Sequence, residues 1–423
     1  MRKSADTSNG TGNPDHRNND QVDVCETGPL LTRIQVLLFI ALTFSAVALS
    51  SGQEKEIIGY YPSWKWSFLP PDKIPFSKLT SVNYAFFYPL PDGCLVGRDT
   101  VNDAKILGGG WSDEVDNDQP RRGLTMLAHE NAVKVVLSIG GWEDSNNFPE
   151  VAATEAKRQQ LAHSCIEAIR TYSFDGIDLD WEYPTYTEHG GKPEDKENCT
   201  RLLKALRDSL DAYGRATGKR LILSAALPAT DTHASGFDIE EIVPLLDNLN
   251  IMTYDLNGEW DPLSGHNAPL YPSHQSDTSR NADAAFRLYT HTYHVPSSKV
   301  NLGVPFYGHS YAMCTELYTP HAGADTVHFS KNGVFYSDIN EAKDMLTRFW
   351  DDRAKVPYAV DTSWNTLVSY DDEESVALKA QYVLDHRARG VIIWEITGDY
   401  LPDGRTPLLD VLSTKLPHRS VVK

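Results

Sequence analysis

Between Phe174 and Pro184 the chain reads Phe-Asp-Gly-Ile-Asp-Leu-Asp-Trp-Glu-Tyr-Pro. From Gly176 onward Asp178, Asp180 and Glu182 share one parity while Ile177, Leu179 and Trp181 share the other, the period of a β-strand with one acidic and one apolar face. Same-face neighbours lie roughly 6 to 7 Å apart at Cα, so their side chains can meet. Three such acids repel one another unless they share protons or donors. Glu182, at the C-terminal end of this strand, is the carboxyl a substrate can reach, and Asp180 beside it is expected to raise its affinity for a proton. That makes Glu182 a candidate general acid. A calcium loop of EF-hand type would need a Gly after its third acid, whereas Tyr183 follows Glu182 here.

A row of acids becomes a site only if the fold places it at an opening. The chain has 423 residues and is 41% hydrophobic, enough for one large core. Its formal net charge of -19 argues against nucleic acid or anionic membrane as partner and is compatible with a neutral substrate. Nine Trp residues offer the flat faces on which sugar rings stack. Short β-like runs alternate with amphipathic helical ones, which predicts a parallel α/β architecture. Strands are expected near Ile57 to Tyr61, Leu79 to Phe87, Val133 to Ser138, Gly176 to Glu182, Leu221 to Ala226, Leu249 to Tyr254, Val300 to Phe306 and Val391 to Glu395. Helical patterns cover Thr154 to Tyr172, Lys196 to Tyr213, Asp283 to His294 and Glu373 to Arg389.

In parallel α/β folds the active site lies at the strands' C-terminal ends. Polar and aromatic residues gather at those ends: Tyr60 and Trp64 after the first, Phe86 on the second, and Gly140, Gly141 and Trp142 on the third. Met252, Tyr254 and Asp255 follow on the sixth, Tyr307 on the seventh and Trp394 on the eighth.

The pattern Asp175-x-x-Asp178-x-Asp180-x-Glu182 resembles the signature of chitinases of glycoside hydrolase family 18, and the resemblance extends over about residues 56 to 412. It implies a (β/α)8 TIM barrel with a small α+β insertion between strands 7 and 8, here 309–369, walling one side of the cleft. Ser138-x-Gly140-Gly141 is similar to the family's second signature, in which the Ser holds the inner Asp, here Asp178. Met252-Thr253-Tyr254-Asp255 resembles the sixth-strand motif, and Trp394 matches the Trp that floors the cleft. Gly265 to Leu270 looks like the loop that follows. One departure stands out: His309 occupies the place of an Arg that often contacts substrate, and His titrates near neutrality.

The implied reaction is hydrolysis of β-1,4 bonds between N-acetylglucosamine units with substrate assistance. Glu182 would protonate the leaving oxygen, Asp180 would hold the acetamido N–H, Tyr254 would fix the acetamido oxygen, and Asp178 would share a proton with Asp180. Tyr60, Trp64, Phe86, Trp142, Met252, Asp255, Tyr307 and Trp394 would bind substrate, with Ser138, Gly140, Gly141 and Asp175 in support. No cofactor and no metal is called for. The partners are chitin or chitooligosaccharides, and the chain is expected to be a monomer. Two other classes share the fold: a chitin-binding lectin, which usually lacks the acid Glu, and an endo-β-N-acetylglucosaminidase acting on N-glycans.

Residues 1–50 read as a polar leader followed by an apolar run from Ile34 to Leu49, and 51–423 as the catalytic barrel. The run suits a signal-peptide core and hence secretion; a signal anchor holding the enzyme outside the membrane is the alternative. Cys165 and Cys199 fall in helical periods and are expected in the core, while Cys94 and Cys314 lie in loop-like sequence open to bridging. Asn198-Cys199-Thr200 is an N-glycosylation acceptor motif.

Overall fold

A computed structural model describes residues 54–110, 122–273, 277–329 and 334–418. The leader and the apolar run lie outside them. No helix among the described residues is long and apolar enough to cross a membrane.

Eight parallel strands close a barrel: β1 (Glu56–Pro62), β2 (Ser81–Pro89), β3 (Lys134–Gly140), β4 (Gly176–Asp180), β5 (Ile222–Pro228), β6 (Asn248–Met252), β7 (Val300–Pro305) and β8 (Gly390–Trp394). Each pairs with its sequence neighbours, and β1 closes the ring by pairing with both β2 and β8. The barrel therefore has no open edge. Its strands are buried on both faces, so their sequences read as near-continuous apolar runs. On β3, Val135, Leu137 and Ile139 point outward to the helical layer, while Ser138 faces the barrel interior.

The helices follow from their caps and stripes. Thr154 caps Glu155–Tyr172 by accepting from the Lys157 N–H. Asp195–Thr217 buries Cys199, Leu202, Leu203, Leu206 and Leu210 along one face. Asp372 and Ser375 form a reciprocal capping box at the start of Glu373–Asp385. The helix expected over Asp283 to His294 is α-helical only from Ala282 to Arg287, then widens into a π turn at Leu288–Thr292. There the Tyr289 hydroxyl donates to the Pro228 carbonyl at the end of β5.

Between β7 and β8 the insertion begins at Tyr307, two residues earlier than expected, and runs to Ser369. Among the described residues five antiparallel strands (Tyr307–Ala312, Val334–Phe335, Thr347–Asp351, Val356–Asp361 and Thr366–Ser369) form its sheet, with a helix at Tyr336–Glu341.

Cys94 and Cys314 are both free thiols: Cys94 sits near the Gln160 amide, while Cys314 is held within the insertion by the Glu316 carbonyl and Thr319. The acceptor motif at Asn198 lies inside the helix Asp195–Thr217 with its side chain buried, so the folded chain does not present that amide for glycosylation.

Candidate active site

Inside the barrel, Asp178 of β4 is fully buried and accepts four hydrogen bonds. Tyr60 of β1 (2.7 Å) and Ser138 of β3 (2.9 Å) donate to Oδ2, and Ser224 of β5 (2.6 Å) and Asn250 of β6 (3.0 Å) donate to Oδ1. Four barrel strands thus converge on one carboxyl. Burial pushes its proton affinity up, and the four donors oppose that shift. Asp178 also adds to the repulsion that raises Asp180, the neighbour with which it is expected to share a proton.

Asp180 is buried above it, and its Oδ1 has no hydrogen-bond partner among the described residues. Burial raises its pKa well above the usual carboxylate range, with repulsion from Glu182 and then Asp178 adding to the effect. The strand ladder ends at Asp180, two residues short of expectation, and Trp181 tucks outward onto Phe148 at 5.2 Å. The chain then carries Glu182 onto the rim, where its side chain opens to the cleft. Ser145 accepts the Glu182 N–H at 2.9 Å while its own hydroxyl lies 2.8 Å from the Gly141 carbonyl.

The Glu182 carboxyl is pushed up to about 7, mainly by burial, with Asp255 as the like-charged neighbour; hydrogen bonds from Tyr183 and the Trp142 N–H oppose the shift. Asp180, expected to be the neighbour raising Glu182, is raised as well, mainly by burial with repulsion from Glu182 adding to it.

Gly140 and Gly141 turn the chain between β3 and this rim. Gly140 has φ +110° and a Cβ there would stand 2.2 Å from the Asp180 carbonyl oxygen; at Gly141, φ +88°, it would stand 2.7 Å from the Phe86 ring. No other residue fits either position.

The opening is a cleft of about 1290 Å³ lined by Tyr60, Trp64, Phe86, Trp142, Glu182, Met252, Tyr254, Asp255, Tyr307 and Trp394. Trp394 stacks on Phe86 at 5.6 Å and meets Tyr60 edge-on at 5.7 Å. Tyr254, just beyond β6, is buried, and its phenol is held far above its usual pKa by burial and the acids Asp180 and Asp255. Asp255 has φ +55° and is fixed there by Asn267, which accepts its N–H at 2.8 Å. Tyr307 donates to Asp255 at 2.6 Å.

His309 lies between Asp255 (2.8 Å) and Glu259 (3.0 Å). Burial lowers its pKa, but hydrogen bonding and ion pairing with the two carboxylates outweigh this and hold it up at about 9. It therefore stays charged at neutral pH rather than titrating there.

Asp175 is not part of the cleft. It sits at the opposite, N-terminal end of β4, where Oδ2 accepts from the Val135 N–H at 2.8 Å and contacts His129 at 2.8 Å. The cleft residues Tyr183, His233, Glu259 and Trp260, and the buried Ser145 and Asn267 that hold Glu182 and Asp255, escaped the sequence reading. Tyr183 and His233 stack at 4.7 Å, a contact between the segment after β4 and the short helix Asp231–Ala234 after β5, with no local signal. Among the described residues no cluster of His, Cys, Asp or Glu is placed to hold a metal ion.

A closed (β/α)8 barrel with a carboxyl row rising to an aromatic-floored cleft defines a glycosidase-type site. The model of the Glycosyl hydrolases family 18 matches residues 56–399, and the chain belongs to that family. It is 35% identical to Chitinase A1 of Niallia circulans, over 86% of this chain and 61% of that protein, so it spans less than two thirds of that relative. It is 32% identical to Chitinase 1 of Aphanocladium album, over 86% of this chain and 87% of the relative. Among solved structures it is similar to Chitinase ChiA74 from Bacillus thuringiensis, with a TM-score of 0.77 and 31% identity over 87% of this chain and 71% of that one. The Group IV chitinase of Ostrinia furnacalis gives a TM-score of 0.76 at 28% identity, over 86% of this chain and 100% of that one.

Proposed function

We propose that the chain is a chitinase that hydrolyses β-1,4 bonds between N-acetylglucosamine units with substrate assistance and retention of configuration. The observation that carries this reading is Glu182 at the cleft-facing end of a buried acid row, its carboxyl pushed up to about 7. A group poised there delivers a proton near neutrality and takes one back.

In this reading Asp178 and Asp180 share a proton in the empty site, that proton moves to Asp178 when substrate binds, and Glu182 carries its own. Asp180, now a carboxylate, accepts the acetamido N–H and offsets the positive charge that develops on the sugar. Tyr254 donates to the acetamido oxygen and aims it at the anomeric carbon. As that oxygen attacks, the glycosidic bond breaks and Glu182 gives its proton to the leaving oxygen. Glu182 then removes a proton from the water that opens the oxazolinium ion. Asp178 anchors the row, and Trp394 stacks beneath the reacting sugar.

The relatives' names and the presence of Glu182 favour this over the lectin reading. Nothing favours N-glycans over linear chitin. Secretion, supported by the apolar run 34–49, and a monomeric state complete the proposal.

The test is the anomeric form of the product released from a chitooligosaccharide, followed by NMR directly after mixing. Early β-anomer at the new reducing end is expected. Early α-anomer would overturn retention, and binding without product would return the chain to the lectin class.

A further inference from the structure

His309, on the first strand of the insertion, is 5% exposed, yet each ring nitrogen faces a carboxylate: Nε2 lies 2.8 Å from Asp255 Oδ1 and Nδ1 lies 3.0 Å from Glu259 Oε2. A neutral imidazole has one N–H and serves one acceptor. Nε2 is in hydrogen-bond geometry with Asp255, whereas Nδ1 and Glu259 Oε2 stand at ion-pair distance without hydrogen-bond alignment; two carboxylates against one buried ring favour the imidazolium.

The surrounding groups belong to the same wall. The edge of the ring meets Trp260 at 5.0 Å and Tyr307 at 5.7 Å. Tyr307 donates to Asp255, Asp261 pairs with Arg280 at 3.1 Å, and His321 sits on the Asp261 carbonyl at 2.9 Å. His321 also reaches Glu259 through its field, and Asp255 reaches Glu182 and Tyr254. His309 is in direct contact with Asp255, whose charge is felt at Glu182.

We propose that His309 is a positioning residue: a buried imidazolium that pins Asp255 and the Glu259–Trp260 loop to the insertion wall and offsets the negative field that Asp255 projects onto Glu182. This rests on the glycosidase reading above. Removing the cation leaves Asp255 uncompensated, so Glu182 binds its proton more tightly. The acid then stays protonated to higher pH.

The test uses the full chain with His309→Gln, His309→Arg and Glu259→Gln, reading kcat against pH on a chitooligosaccharide and the side-chain nitrogen NMR of His309. In His309→Gln the alkaline limb of kcat is expected to move up by about 0.5 to 1 pH unit, and KM to rise several-fold as the loop loosens. His309→Arg, a permanent cation, is expected to keep the limb within about 0.2 pH unit of wild type. A purely structural role would lower activity at every pH without moving the limb, and that result overturns the proposal. So does a wild-type nitrogen spectrum with a single protonated ring nitrogen near pH 7.5. Should His309→Gln fail to fold, Glu259→Gln reports instead: a lowered His309 pKa supports the clamp and an unchanged one removes it. A wild-type chain that cleaves no chitooligosaccharide overturns the glycosidase reading, and the nitrogen spectrum then decides separately whether the charged clamp exists.

Discussion

The Ser145 hydroxyl oxygen accepts the backbone N–H of Glu182 at 2.9 Å. A residue on the loop after β3 thus fixes the residue at the head of the acid row after β4. The same hydroxyl reaches the carbonyls of Gly141 (2.8 Å) and Asp180 (3.2 Å), so one small side chain closes the rim where the two strands part. Ser145→Ala removes that tie without touching substrate. It is expected to lower kcat about tenfold with KM within about twofold, since a lost buried hydrogen bond is worth about 1 to 2 kcal/mol and acts here on the position of the acid. Steady-state kinetics on a chitooligosaccharide check it, and an unchanged kcat would show that Glu182 holds its place unaided.

Glu182→Gln is expected to reduce kcat by about three orders of magnitude or more while leaving oligosaccharide binding measurable by calorimetry. The same variant reports on stability. The folded carboxyl is held at about 7, above the value near 4.3 of an unfolded Glu. Below the unfolded value both states carry the proton and the burial is harmless. As pH rises through that window the unfolded state ionises first, so stability is lost until the folded group also titrates. Gln has no charge to bury. Its melting temperature relative to wild type should therefore be higher at pH 8 than at pH 4, by about 2 °C, a modest figure because Glu182 opens to solvent in the cleft. Equal differences at the two pH values would mean the carboxyl is not perturbed.

A kcat profile that declines above about pH 7 is the kinetic counterpart, since the acid loses its proton there. Substrate that excludes water from the cleft would move the limb upward, not downward. A limb below pH 5 would exclude Glu182 as the acid.

Trp394→Ala removes the ring that stacks on Phe86 at 5.6 Å and faces Tyr60. Binding of an oligosaccharide should weaken by about 1 to 3 kcal/mol, the range expected for a lost aromatic platform, with a smaller effect on kcat. Isothermal titration in a Glu182→Gln background separates the two effects. An unchanged binding constant would place the sugar elsewhere.

Asp175→Asn provides the contrast. Its carboxyl bonds the Val135 N–H and His129 at the far end of the barrel. The expected result is about 1 kcal/mol of lost stability with kcat and KM unchanged, measured by denaturant unfolding and kinetics in parallel. A selective loss of kcat would give this acid a long-range role that the geometry lacks.

The sequence by itself determined the alternating strands and helices and the acid row, because both are written in short-range periodicity, and the barrel followed from the family signature they carry. A parallel strand buried on both faces declares itself as an apolar run, and Asp178, Asp180 and Glu182 share a face because the side-chain period of a strand is two. The rim glycines were legible for a similar reason, since Gly140 and Gly141 stand together at a strand end. Alternation could not show where the ladder stops, and the strand carrying the acids ends at Asp180. What only the tertiary structure decided are the relations between distant segments. Asp178 is saturated by donors from four strands, Ser145 holds Glu182, and Asp175 faces away from the cleft despite standing three residues from Asp178. His309 is the clearest case. By residue type it titrates near neutrality, but proton affinity depends on the field at the ring, and Asp255 and Glu259, 54 and 50 positions earlier in the chain, meet it only once the insertion folds onto the barrel.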